Sequence, residues 1–253
     1  MHSIPRIHEY STKDLVAESA AARLLLLLAD EAPGRNAVHL SITGGSLGTR
    51  IWSEVAASTL VNTVPWDKVH IWWSDERFLE AGDAERNAQQ TFDAFFGAGP
   101  IPRGNIHVMG SATDYDHQDE AASAYADELR TFAQPGESSP RFMVSLLGMG
   151  PDGHLASLFP GREEILSSVD GVMGISDSPK PPPERVTMTL PMINRSERIW
   201  FLVSGSDKRE AFRRLTSRLD GAMTPETLRD TPAVGARGEF ETLYLVSRDA
   251  SGN

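Results

Sequence analysis

A chain of 253 residues with 40% hydrophobic and 23% charged residues can bury a core, and its length suits one large α/β domain spanning 1–253. The formal net charge of -11 disfavours nucleic acid and anionic membrane surfaces as partners, so any phosphorylated ligand needs its own local cluster of Arg, Lys and backbone N–H groups. The lack of cysteine removes disulfides, thiolate metal sites, iron–sulfur clusters and cysteine nucleophiles, and fits an intracellular location. In chain order, residues 13–31 are predicted helical, with Ser11 or Thr12 as N-cap and Pro33-Gly34 as the stop. The run Leu24 to Leu28 inside it is too short for a membrane span and is read as a buried helix face. A strand over 37–43 runs into Gly44-Gly45-Ser46, and a helix over 47–57 follows, so these glycines occupy a strand-to-helix turn suited to anions.

The alternation continues with a strand over 69–73 that ends in Ser74-Asp75-Glu76-Arg77, a helix over 84–96, a strand over 106–109 and a helix over 116–132. A strand over 142–147 leads into the glycine-rich turn 148–153 and then a short helix closed by Pro160-Gly161. Residues 176–184 carry Pro179 and Pro181 to Pro183 and are predicted to form an extended surface loop, because proline lacks the amide donor. Strands over 199–204 and 242–247 flank a helix over 207–219. Strands alternating with helices predict a mostly parallel sheet covered on both faces, with ligands bound at the carboxyl ends of the strands.

Chemistry concentrates in the stretch 146–161. Gly148, Gly150 and Gly153 fit the G-x-G-x-x-G dinucleotide pattern, but Pro160-Gly161 leaves too short a helix and no second strand delivers Asp170, so nicotinamide binding is set aside. His154, just past a glycine turn at a strand end, has a side-chain type suited to taking a proton from water. Asp152 either orients that imidazole or caps the following helix. Arg77 has two readings, a surface pair with Glu76 or Asp75 and a planar fork for phosphate or a developing oxyanion. Lys208, beside Gly205-Ser206, is either a solvated helix-start residue or a phosphate contact. Trp72 and Trp73 lie on a strand where at least one must point into the core, so they are read as packing rather than as a sugar platform. No His-x-x-x-His pair occurs, and no metal site is predicted.

Asp152-Gly153-His154 through Ser157-Leu158-Phe159-Pro160-Gly161 resembles the signature of the 6-phosphogluconolactonase family, in which the histidine is the general base. Thr43-Gly44-Gly45-Ser46 looks like that family's phosphate loop, and Ser74-Asp75-Glu76-Arg77 with Asn87 looks like its Asp-Glu-Arg element and downstream Asn. Arg185 and Lys208 fall where the family places later basic residues. The chain departs from the pattern at Leu47-Gly48, where the family has Ser or Thr followed by Pro.

The resemblance implies a three-layer αβα Rossmann-like fold with a mostly parallel sheet (NagB/RpiA/CoA-transferase-like). It also implies a monomeric cytoplasmic hydrolase that uses no cofactor and opens 6-phosphoglucono-1,5-lactone in the pentose phosphate pathway. His154, Asp152 and Arg77 would then be catalytic, and Gly44, Gly45, Ser46, Asp75, Asn87, Gly150, Arg185 and Lys208 would bind substrate. Which basic residue holds phosphate and which faces the oxyanion stays open. Glucosamine-6-phosphate deaminases share the fold and the Asp-Gly-His element, but their pattern has Asn-Glu-Pro where this chain has Leu158-Phe159-Pro160, and Asp-Glu-Tyr where it has Asp75-Glu76-Arg77. A non-catalytic sugar-phosphate sensor is the remaining alternative, and a titratable His154 in the pocket argues against it.

Overall fold

The computed structural model describes residues 4–252. The elements that position the site are the strands β1 (Arg6–Tyr10), β2 (Val38–Ile42), β3 (Val69–Trp73), β4 (Asp75–Arg77), β5 (Ile106–His107), β6 (Phe142–Gly148), β7 (Val172–Ile175), β8 (Arg185–Met188), β9 (Ser196–Val203) and β10 (Glu241–Ser247). Helices α1 (Lys13–Glu31), α2 (Gly45–Ala57), α3 (Asn87–Thr91), α4 (Gln118–Thr131), α5 (Leu190–Ile193) and α6 (Arg209–Thr216) connect or cover them. Seven strands form one parallel sheet in the order β1-β10-β9-β6-β2-β3-β5, and β4, β8 and β7 form a small antiparallel sheet beside it.

Burial explains the strands. From Phe142 to Leu147, β6 is buried at every position, as a central parallel strand covered on both faces must be. On α1, Thr12 accepts from the Leu15 N–H as N-cap, and Val16, Ala17, Ala20, Ala21, Leu24, Leu25 and Leu28 form the i, i+3, i+4 stripe that packs on the sheet. Trp72 and Trp73 are both fully buried, and strand alternation sends them into the two separate cores on opposite faces of the sheet. Both tryptophans are therefore packing residues.

The sheet reverses direction of growth between β2 and β6. From β2 the chain adds β3 and β5 outward on one side, while β9, β10 and β1 lie beyond β6 on the other. The segments leaving the carboxyl ends of β2 and β6 consequently diverge, opening a crevice between them, the place where open parallel sheets bind ligands.

Several elements differ from expectation. No helix follows His154. Residues 151–159 run in turns with an isolated bridge between Leu155 and Leu158, and Ala156 takes a φ of 45°, which a right-handed helix cannot accommodate. The helix expected over 84–96 starts only at Asn87, where the Glu76 carboxylate accepts from the Asn87 and Ala88 N–H groups, and it ends in a π-helical turn at Phe92–Phe96. The strand expected over 106–109 is two residues long, and the helix expected over 207–219 is a 3-10 turn followed by α6. Strands β1, β7 and β8 have no counterpart in the sequence reading, Asp75–Arg77 is not the polar end of β3 but a separate strand, β4, of the small sheet, and the proline-rich segment is the connection between β7 and β8.

Candidate active site

The crevice is lined by the turn after β2 (Thr43 to Gly48), by Asp75 and Arg77 of β4, by Asn87, by Gly148 to Pro151 and His154 after β6, by Arg185 of β8 and by Lys208. Every residue singled out from the sequence lines it except Asp152, which stands directly behind His154.

The imidazole is fixed from its Nδ1 side. Asp152 Oδ1 lies 2.5 Å from His154 Nδ1 and also accepts the His154 backbone N–H at 3.2 Å. An ionised carboxylate only accepts, so Nδ1 carries the proton and Nε2 keeps its lone pair. Burial alone would raise the Asp152 pKa. The hydrogen bond and charge of His154, the His154 N–H and nearby Lys180 outweigh it and hold the carboxyl well below the usual range. With no helix beginning here, Asp152 orients the imidazole; the helix-capping reading is not realised. The other wall of the ring is apolar, with the buried Phe159 ring centred 4.7 Å away.

Position 150 has to be glycine. A Cβ there would fall 2.0 Å from His154 Cε1, so any side chain would displace the imidazole. The Leu47-Gly48 departure has an equally local cause. Leu47 is buried in the core under α2, and a Cβ at Gly48 would meet the Thr43 carbonyl oxygen at 2.3 Å. The N-terminus of α2 nonetheless opens on the crevice with Gly45 and Ser46, and N–H groups at a helix start are able to bind an anion without the missing hydroxyl.

Two arginines meet across the small sheet. Arg77 and Arg185 are register partners in the antiparallel β4–β8 pair, and like charges placed directly opposite destabilise a sheet. Among the described residues neither forms an ion pair. Arg77 donates to the Glu85 carbonyl, and Arg185 donates to the carbonyls of Lys180, Pro181 and Pro182 at 3.2, 2.9 and 3.2 Å. Buried Glu76 accepts from the N–H groups of Arg77, Asn87 and Ala88 and pairs with Arg86 at 3.6 Å, and Asp75 accepts from Ser157, so the surface pair of Arg77 with Glu76 or Asp75 is not realised. Burial lowers the Arg185 pKa, and Asp75, Arg77 and Glu76 contribute smaller charge effects. Two guanidinium groups held by carbonyls and lining one crevice have the charge and planar donors to bind an anion.

Asp75 accepts from the Ser157 hydroxyl at 2.7 Å, and Asn87 donates to the Asp75 carbonyl at 2.9 Å, so both brace the crevice wall that they line. Lys208 has its pKa lowered, chiefly by burial, with further lowering from Lys13 and Lys180. Sequence reasoning missed Lys180, whose Nζ reaches both His154 and Asp152, and Arg214, which donates to the Asp152 carbonyl at 3.0 Å. The proline run was the one available signal for Lys180. Among the described residues no cluster of three or more His, Cys, Asp or Glu side chains is arranged to hold a metal ion, and no helix is long and apolar enough to cross a membrane.

The family model for glucosamine-6-phosphate isomerases/6-phosphogluconolactonase matches residues 11–243. The chain belongs to this family. It is 37% identical to a 6-phosphogluconolactonase of Streptomyces coelicolor over 99% of this chain and 95% of that one, and 38% identical to a 6-phosphogluconolactonase of Mycobacterium tuberculosis over 97% and 96%. The solved structure of 6-phosphogluconolactonase from Thermotoga maritima superposes with a TM-score of 0.77 at 25% identity, covering 96% of this chain and 99% of that one. A monomeric glucosamine-6-phosphate deaminase superposes almost as well, with a TM-score of 0.76 at 19% identity over 98% and 99% of the two chains. Both branches of the family thus share the fold, and the choice between them lies in the crevice.

Proposed function

We propose that this chain hydrolyses 6-phosphoglucono-1,5-lactone to 6-phosphogluconate, with His154 as general base. The observation that carries the choice is the apolar face of His154: the deaminase-like pattern places a carboxylate where this chain has Phe159, whose ring packs on the imidazole. An aromatic wall leaves Asp152 as the one carboxylate bonded to His154 among the described residues, which suits a single proton transfer from water.

In this reading the phosphate is held among the α2 N-terminus, Arg77, Arg185 and Lys208, and the lactone carbonyl is brought to His154. His154 Nε2 takes a proton as water oxygen bonds to the carbonyl carbon. The tetrahedral oxyanion is stabilised by a neighbouring guanidinium or backbone N–H group. As it collapses, the bond from carbon to ring oxygen breaks and the imidazolium returns its proton to that oxygen, giving an acid and an alcohol. The lactone is an activated ester, so neither a covalent nucleophile nor a metal is needed for this route.

We also take the chain to act as a single domain, monomeric and cytoplasmic, with no nucleic acid or membrane partner. The family resemblance, the net charge of -11 and the absence of cysteine support this.

The test is turnover of freshly generated 6-phosphogluconolactone by wild type and His154→Ala. A fall in kcat of about 10²–10⁴-fold in a variant with an unchanged circular dichroism spectrum is expected. Wild-type activity no faster than spontaneous hydrolysis would refute the lactonase reading.

A further inference from the structure

The loop between β7 and β8 is an unusually stiff connection. Pro179 and Pro181 to Pro183 fix their own φ angles, the Ser178 N–H closes the loop on the Pro183 carbonyl at 2.9 Å, and the Lys180 N–H donates to Ser178 Oγ at 3.3 Å. Its outer end is strapped by Arg162, which donates to the carbonyls of Ser176 and Asp177 at 2.9 and 3.0 Å. Its inner end is strapped by Arg185. These contacts use the loop backbone and leave one side chain, Lys180, directed at the dyad.

Lys180 Nζ lies 3.5 Å from Asp152 Oδ2 and 3.3 Å from His154 Nδ1. The ammonium and the Nδ1–H are both donors, so they cannot bond to each other; they share the carboxylate, with imidazole on Oδ1 and ammonium near Oδ2. When His154 takes a proton, two cations stand against one carboxylate.

We infer that Lys180 is a positioning residue of this active site, which acts through Asp152 to keep His154 unprotonated before water attacks and to speed return of its proton to the ring oxygen. The inference rests on His154 being the base. The other charges around the imidazole are Arg185 from β8, Lys208 before α6, Arg77 and Asp75 across the crevice on β4, and Arg214 of α6 behind the Asp152 carbonyl. Of these, Arg185 touches Lys180 only through its backbone carbonyl, so removing the ammonium leaves that bond available.

The experiment compares Lys180→Met and Lys180→Arg with wild type by kcat and KM against pH, and by nitrogen NMR titration of the His154 ring. In Lys180→Met the uncompensated carboxylate retains the proton on His154. The acid limb of kcat and the NMR midpoint are expected to move up by about one pH unit, with KM unchanged, and Lys180→Arg to restore both. A raised KM with an unmoved limb and midpoint would overturn the inference and make Lys180 a phosphate ligand. An active Lys180→Met enzyme with wild-type profiles would overturn it as well. A shifted midpoint with an unshifted kcat limb supports the action of Lys180 on His154 and refutes His154 as the base, so the two failures are distinguishable. If Lys180→Met does not fold, Lys180→Gln, which also removes the charge, takes its place.

Discussion

A carboxylate 2.5 Å from Nδ1 selects Nε2 of His154 as the nitrogen free to accept a proton. In Asp152→Asn the amide can instead donate to Nδ1, which places the ring proton on Nε2 and removes the base. We expect kcat to fall by roughly 10²–10⁴-fold with little change in KM. Proton-coupled nitrogen spectra of the ring read the tautomer directly, and a variant that keeps both wild-type kcat and the Nδ1–H form would show that Asp152 is dispensable. His154, Asp152 and the glycines around them are visible in the sequence because they lie within a few residues of one another at a strand end. Lys180 is not, because it reaches the dyad from 26 residues further along the chain on a scaffold of prolines. The partnership of Arg77 with Arg185 is equally invisible without knowing that β4 and β8 pair.

At the scale of elements, strands β2, β3 and β5 carry a ladder of histidines away from the crevice. His39 stacks on His70 with ring centroids 4.8 Å apart, His70 on His107 at 5.3 Å and His107 on Trp72 at 3.8 Å. Trp72 Nε1 donates to His39 Nδ1 at 3.1 Å, His70 Nδ1 lies 3.0 Å from His107 Nε2, and His107 Nδ1 lies 2.6 Å from Glu128 Oε1 on α4. Burial, then the neighbouring histidines, lower His39 to a pKa of about 3, and burial and His107 lower His70 to about 4.

Both histidines are neutral in the fold and take a proton on unfolding at any pH between these values and about 6.5, the ordinary histidine value. The unfolded chain binds more protons throughout that window, so stability rises with pH across it and falls on acidification. From pH 6.5 to pH 5, above the range where most carboxylates titrate, the loss should reach about 2–3 kcal/mol once the half-exposed His70 is discounted for solvent screening. Urea midpoints over this window measure it. A His39→Gln, His70→Gln double variant, whose amides still accept and donate, is expected to flatten the curve, and an unchanged slope would point to other groups.

The same scale shows where sequence patterns mislead. The turn after Gly153 has the signals of a helix start, yet the Ser157 N–H goes to Thr187 Oγ1 at 3.3 Å and the Ser157 hydroxyl to Asp75, so cross-sheet bonds replace the helical ones. Strands β7 and β8 are four residues each and take their partners from β4 and from each other, so no local periodicity announces them. The long helices and the buried parallel strands were legible because burial alone dictates their pattern.

Across the whole molecule, the proton-transfer groups hang from β6 of the large sheet while the paired arginines ride on the small one. The two sheets are bolted together: Ser74 donates its N–H to the Ile42 carbonyl at 2.9 Å and accepts from the Met188 N–H at 2.8 Å, and Ser157 bonds to Asp75 and approaches Thr187. A rigid joint of this kind makes the crevice a caliper. In the proposed reading the paired arginines of the small sheet help to hold the anionic end of the ligand while β6 of the large sheet carries the base, so the gap would measure the number of carbons between phosphate and carbonyl.

A phosphorylated lactone one carbon shorter should still seat its phosphate and bind with a similar KM, but its carbonyl would stop short of Nε2. A displacement of about 1 Å costs on the order of 10²-fold in rate, which is the fall in kcat expected for the shorter substrate. Equal kcat for the two lactones would mean that the jaws move. If the gap is fixed as this prediction has it, shorter phosphorylated lactones would be rejected by length alone, with no side chain dedicated to excluding them.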